Sequence, residues 1–255
     1  VLTNYQASLI LNSHDFRLRL KHAQNALIFV FRMRTIDGKS LPSLNAYETC
    51  FLVVDMQNDF VKPEGYFGKK GQNMKPVLDS VIRIAEFLEF CRDKGPSVIF
   101  LKTEHPRYTN ADTWRIRLGD EDESPNICLP NSWGAEIIDE LTPSSDEPVV
   151  VKRRYDGFLE TDLPVILRTW RIQNLLIAGT KTNVCVDTTV RHAFMGDYLT
   201  VTLSDCVSTP DVGLQGVTLM NIANYFGFVK TSEEVRRSLV FGPEKIGVKK
   251  IQVRR

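Results

Sequence analysis

One pattern recurs along the chain and limits what it can fold into. A short run of Val, Ile, Leu and Phe ends on polar residues, and a segment of helical periodicity follows. The runs are "CFLVVD" from Cys50, "SVIFLKT" from Ser97, "PVVVKRRY" from Pro148, "NLLIAGT" from Asn174, "YLTVTLSDC" from Tyr198 and the shorter "GFVK" from Gly227. Continuous rather than alternating apolar runs suit strands buried on both faces. After the first run, Val77, Ile84, Phe87, Leu88 and Cys91 recur at helical spacing, and Gly95 marks the stop. "TDLPVILRTW" is a second helix with Pro164 in its first turn. Asn183–Met195, Val212–Phe226 and "TSEEVRRSL" from Thr231 are further helices. Strands separated by helices imply an α/β fold: a mostly parallel sheet covered on both faces.

Other stretches are less regular. Residues 1–48 mix apolar and basic residues without a clean period, and are expected to be an N-terminal extension, partly ordered or engaged in oligomer contacts. The main domain is then 49–255. Lys62–Gln72 is a Gly- and Lys-rich loop. Residues 104–147 are long, polar and rich in Asp, Glu, Asn and Pro, and are expected to cap the site with a short helix near Trp133–Leu141.

Composition removes several classes. The 255 residues, 43% of them hydrophobic, supply one substantial core. A net charge of +1, from 32 basic and 31 acidic residues, argues against a nucleic-acid partner. The apolar run Ala26–Phe31 is too short to span a bilayer and has no small-residue cleavage site after it, so neither a membrane partner nor a signal peptide is expected. Five widely spaced cysteines, Cys50, Cys91, Cys128, Cys185 and Cys206, form no CxxC or Cys/His cluster. A disulfide framework or structural zinc is therefore not expected, and a reducing, cytoplasmic setting fits. "GKKGQ" at Gly68–Gln72 lacks the spacing of a phosphate loop, and no nicotinamide fingerprint follows the first strand. No cofactor is expected.

Ligands of open α/β sheets sit beyond the carboxyl ends of the strands. Asp55, Lys152 and Cys185 all fall there. A thiol becomes a strong nucleophile as a thiolate, which a helix start and a nearby ammonium favour. Asp55 can take the thiol proton and pass it to a leaving amine, so acid, base and nucleophile are supplied without a histidine. The backbone N–H groups of Lys181 and Cys185 can receive an oxyanion, and Gly179 suits the reversal between strand and helix. Each residue also has a plainer use: a cysteine packs, an aspartate caps, a lysine is solvated. Their shared placement favours chemistry. Asn58, Phe60, Tyr108, Trp114 and Asn183 are candidate substrate contacts, with Tyr66 as a further wall residue. Asn183 is also a candidate helix cap. Arg107, Arg115 and Arg117 are candidates to pair with a substrate carboxylate, and His192 fits a structural role.

"VVDMQNDF" at Val53–Phe60, "VVKRRYDGF" at Val150–Phe158 and "GTKTNVCVDTTVRHAF" at Gly179–Phe194 resemble, in that order, motifs of the isochorismatase-like cysteine hydrolases. The resemblance covers about residues 48–232. It implies a three-layer α/β/α sandwich with a six-stranded, mostly parallel, Rossmann-like sheet. It also implies a catalytic triad of Asp55, Lys152 and Cys185 and a cis peptide between Thr180 and Lys181. A thioester intermediate and a homodimer or homotetramer are implied as well. "KRRYDGFLETDL", "TNVCVDTTVRHAF" and "LMNIANYFGFV" are most similar to ureidoacrylate amidohydrolases. The implied activity is hydrolysis of a C–N amide or ureido bond in a small linear molecule, with release of ammonia and carbon dioxide. N-carbamoyl amino acid or biuret hydrolysis stands as an alternative, and a non-catalytic oligomeric interaction protein as another. Nicotinamidases of this family bind a metal through an Asp/His set. Here "KTEHPRYTNADTW" offers His105 without a second nearby histidine, so no metal is expected.

Overall fold

A computed structural model of the chain describes residues 40–118 and 126–242. The expected extension lies outside these residues up to position 39. In chain order come β1 (Leu44–Asn45), β2 (Thr49–Val54), α1 (Asn58–Val61), α2 (Tyr66–Lys69), α3 (Lys75–Lys94), β3 (Ser97–Thr103) and α4 (Asp112–Leu118). There follow β4 (Val149–Lys152), α5 (Leu163–Thr169), β5 (Asn174–Thr180), α6 (Asp187–Met195) and β6 (Leu199–Ser208). The order ends with α7 (Val212–Tyr225), β7 (Phe228–Lys230), α8 (Ser232–Ser238) and β8 (Leu239–Val240).

Six strands form one sheet in the order β4-β3-β2-β5-β6-β7, and every neighbouring pair is parallel. From β2 the chain builds outward through β3 to β4. It then returns to the other side of β2 and builds through β5 and β6 to β7. The direction reverses between β2 and β5, which is where an open parallel sheet leaves a crevice at its carboxyl edge.

Alternate residues of the buried strands serve opposite layers. Phe51, Val53, Val98, Phe100 and Leu176 pack with Val77, Ile84, Phe87 and Leu88 of α3. Cys50, Leu52, Val54, Ile99 and Ile177 pack with Leu163 and Leu167 of α5 and Val190 and Ala193 of α6. The Phe51 and Phe87 rings meet edge-on, with centroids 5.0 Å apart. Each such side chain stabilises the fold by about 1.5–3 kcal/mol when fully buried. The chain is thus a three-layer α/β/α sandwich, and continuous apolar runs were the right signal for it.

Three expectations change in detail. β1 pairs with β8 as a separate small parallel sheet, and Leu44 and Ala46 are buried in the α3-side core. Packing therefore begins by Leu44 rather than at residue 49. The Lys62–Gln72 loop contains α2. The single helix expected near Trp133–Leu141 is two 3-10 turns, Trp133–Ala135 and Asp139–Leu141. The stretch between them is extended because it is stitched to the loop after β2: Asn58 N–H donates to Glu136 O at 3.0 Å, and Ile138 N–H to Met56 O at 3.0 Å. Among the described residues, no helix is long and apolar enough to cross a membrane.

Candidate active site

Three strand ends converge at the crevice. β2 stops at Val54, and Asp55 turns the chain with φ of 51°, a left-handed conformation that Asp tolerates better than most residues. Its N–H donates to Leu101 O at 2.9 Å. Lys152 closes β4, opposite Thr103 of β3 in the sheet register. β5 ends at Thr180, the Thr180–Lys181 peptide is cis, and Cys185 follows inside a π-helical turn, Thr182–Val186, that leads into α6. Gly179 makes the approach of β5 to β2 possible. Its φ is +115°, and a Cβ there would stand 2.0 Å from the Val54 carbonyl oxygen.

The side chains at these ends are out of water. Asp55 and Lys152 are 0% exposed and Cys185 6%. The Lys152 Nζ lies 2.8 Å from Asp55 Oδ2. It donates to Thr103 Oγ1 at 2.6 Å, which in turn donates to Asp55 Oδ1 at 2.9 Å. A second donation from Nζ reaches Arg154 O at 3.1 Å. The ammonium and Asp55 Oδ2 thus form an enclosed ion pair. Gln57 braces the frame from below: its Nε2 donates to Thr103 O and Ala135 O, both at 2.8 Å, and its Oε1 accepts from Thr103 N–H at 2.7 Å.

Burial and charge act against each other here. Burial alone lowers the proton affinity of Lys152, but the facing Asp55 carboxylate and then Cys185 outweigh it, so its pKa is raised and the ammonium persists. For Cys185, burial pushes the thiol up, the Lys152 ammonium pulls it down, and Asp55 raises it again; the net direction is up. Lys152 pulls toward the thiolate, as expected, but is outweighed. Desolvation wins because the sulfur is enclosed. His105, buried beside the same lysine with its ring 4.2 Å from that of Trp114, is lowered to about 4 by burial and then by Lys152, Arg154 and Arg153. Among the described residues, no three His, Cys, Asp or Glu side chains gather as a metal site.

The other candidates are dispersed. Asn58 spends its amide nitrogen on Trp133 O at 2.8 Å, holding the cap to the loop after β2. Phe60 stacks on Phe67, centroids 5.6 Å apart, and Tyr66 meets the other edge of Phe67. Together with Ile127, Cys128, Ala135 and Trp114 they form a small cap core. Tyr108, in the 3-10 turn Arg107–Thr109, is 88% exposed. Asn183 does not cap a helix: it lies inside the π turn, and its Oδ1 is buried without a partner. His192 pairs with Asp156 Oδ2 at 2.5 Å and stacks on Phe158. Arg117 lies over the Tyr155 ring at 5.8 Å.

Sequence reasoning passed over Thr103, Gln57 and Asp59. Thr103 was legible as the lone hydroxyl ending an apolar strand. Asp59 is a buried carboxylate that accepts from Tyr66 N–H at 2.9 Å and Cys128 N–H at 2.7 Å, tying α2 to the cap. A surface hollow near Arg83, Glu86, Asp205 and Ser232 lies between α3 and α8, where the Ser232 hydroxyl donates to Asp205 Oδ2 at 2.7 Å.

Comparison with known proteins follows the same lines. A family model described as Isochorismatase domain matches residues 49–234. Ureidoacrylate amidohydrolase RutB of Azorhizobium caulinodans is 29% identical over 218 residues, spanning 80% of this chain and 95% of that protein. Its counterpart in Rhizobium rhizogenes is 30% identical over 203 residues, spanning 74% and 82%. The crystal structure of a cysteine hydrolase from Pseudomonas syringae pv. phaseolicola matches with a TM-score of 0.66 and 31% identity, covering 78% of this chain and 98% of that one. The chain belongs to the isochorismatase family and is a hydrolase of that superfamily.

Proposed function

We propose that this family member hydrolyses a C–N bond of a small linear ureido acid, of the ureidoacrylate type, through a thioester on Cys185. The observation that carries this is the enclosed Asp55–Lys152 ion pair, 2.8 Å across, beside a thiol that burial keeps protonated. The likeness to ureidoacrylate amidohydrolases supports the substrate type.

Asp55 accepts the thiol proton on its carboxylate. The Cys185 sulfur bonds to the ureido carbonyl carbon, and the carbonyl π electrons move to oxygen. That oxyanion is received by the Lys181 and Cys185 backbone N–H groups; one such donor contributes roughly 3 kcal/mol in other hydrolases. As the carbonyl re-forms, the C–N bond breaks, and Asp55 returns its proton to the departing nitrogen. Water then attacks the acyl-enzyme with Asp55 as base, and the thiolate leaves and is reprotonated. The carbamate released decays to ammonia and carbon dioxide. Lys152 pairs with the Asp55 carboxylate, and Thr103 fixes the carboxylate plane.

Ammonia release from ureidoacrylate, an N-carbamoyl amino acid, biuret and nicotinamide tests this. Turnover of ureidoacrylate in preference to the rest, abolished in Cys185→Ala, is expected. Turnover that survives in Cys185→Ala contradicts it, and preference for biuret or a carbamoyl amino acid moves the substrate.

A further inference from the structure

The residue that follows the cis peptide carries a cation whose surroundings do not use its charge. Lys181 is half-buried. Its Nζ stands 3.2 Å from the Phe67 ring centroid and donates to Gln72 Oε1 at 2.9 Å. Among the described residues no carboxylate lies within ion-pair distance of it, in contrast to Lys62, Lys75, Lys102 and Lys152, which each have one. Arg117 acts against the charge on Lys181, and the Cys185 sulfur acts in its favour. The ammonium, four residues before Cys185 in the same turn, is thus within electrostatic reach of the nucleophile. A half-buried cation with no carboxylate at ion-pair distance among the described residues is costly to keep until an anion joins it. The aromatic face of Phe67 and the amide of Gln72 hold the Lys181 chain in place without neutralising it.

We infer that the Lys181 side chain is the specificity determinant that receives a carboxylate of the substrate while the carbonyl sits on Cys185. This rests on the hydrolase assignment above and extends it from the bond that is cleaved to the anionic group that is read. The sequence alone suggested only arginines for this purpose and gave Lys181 only a backbone role. A lysine at this position selects ureido acids over neutral ureas and simple amides, because a neutral ligand brings no charge to the ammonium.

The test compares ureidoacrylate with the neutral ureido alcohol in which a hydroxymethyl group replaces the carboxylate. The readout is the ratio of the two kcat/KM values, which cancels any disturbance of the backbone at residue 181. In Lys181→Met that ratio is expected to fall about tenfold or more, and in Lys181→Arg to recover most of the way; a charged hydrogen bond of this kind carries that much discrimination. An unchanged ratio in Lys181→Met overturns the inference. A second readout needs no turnover: the rate at which iodoacetate alkylates Cys185 relative to iodoacetamide, followed on the Cys185 peptide. The anionic reagent is expected to lose its relative advantage several-fold in Lys181→Met. If neither ureido compound is turned over but the alkylation ratio falls, the hydrolase assignment has failed and the anion site stands. If turnover is normal and neither ratio moves, the anion site has failed alone.

Discussion

Two lysines mark the floor and the rim of the same crevice, and their surroundings differ. Lys152 ends β4 with no exposed surface, 2.8 Å from a carboxylate and 2.6 Å from a hydroxyl. Its charge is fixed in place by partners the chain itself provides. Lys181 follows β5, half-buried, against an aromatic ring and an amide oxygen. Burial, with Arg117, lowers it to about 8 although Cys185 acts the other way. Burial opposes the charged form of both, and the partner decides the outcome: a facing carboxylate overrides desolvation, whereas a ring and an amide do not. The floor is therefore built to hold a proton balance, and the rim to answer to what binds.

The strongest break in the floor is Asp55→Asn. It removes the carboxylate proposed to shuttle protons for the thiol, and kcat/KM is expected to fall by roughly 10²–10⁴, measured by ammonia release. Lys152→Met comes next. Removing one member of a buried ion pair costs about 3–5 kcal/mol, so its denaturant midpoint should drop sharply. Asp55→Asn with Lys152→Met should cost less than the sum of the two single changes. Strict additivity would show that the pair does not act as a unit.

His105 sits in the wall beside the floor, and acid tests it. Its pKa is about 4 when folded, against an ordinary value near 6.5. Between those values the unfolded chain binds a proton that the folded chain refuses, so stability falls as pH drops from about 6.5 toward 4. The loss is on the order of 3 kcal/mol across that window. Urea unfolding of His105→Phe should flatten this part of the profile, and an unchanged slope would assign the acid sensitivity elsewhere.

The smallest effect sharpens the rim. Lys181 loses its proton as pH rises through about 8, while a substrate carboxylate stays ionised. KM for ureidoacrylate should therefore climb above pH 8 in the wild type, and Lys181→Arg should move that climb to higher pH. Cys185 and Arg117 are the groups that act electrostatically on Lys181, so the Cys185→Ala binding profile, followed by calorimetry, separates its own titration from that of the thiol. Stability should change by no more than about 1 kcal/mol in Lys181→Met, in contrast to Lys152→Met.

The floor was far more legible in sequence than the rim. Asp55, Lys152 and Cys185 each end or follow an apolar run, and strand ends in a parallel sheet must share one edge. Periodicity therefore placed them together before any contact was known. The parallel sheet and its two helical layers followed from Val- and Leu-rich runs whose alternate residues face opposite cores. The cap was opaque because its order comes from long-range hydrogen bonds that leave no local period. Asn58 to Glu136 O, Gln57 to Ala135 O and Asp59 to Cys128 N–H join residues 69 to 78 positions apart. Such contacts turned an expected helix into two 3-10 turns. The net direction of the Cys185 shift was out of reach for a related reason: a lysine is visible in sequence, but the depth of burial that outweighs it is not.

The most direct test of the central claim is a rapid acid quench of the wild-type protein during ureidoacrylate turnover, followed by peptide mass mapping. A carbamoyl adduct on the Cys185 peptide, formed and lost at rates that account for turnover and absent in Cys185→Ala, is the expected result. Turnover with no adduct on Cys185, undiminished in Cys185→Ala, would contradict the account.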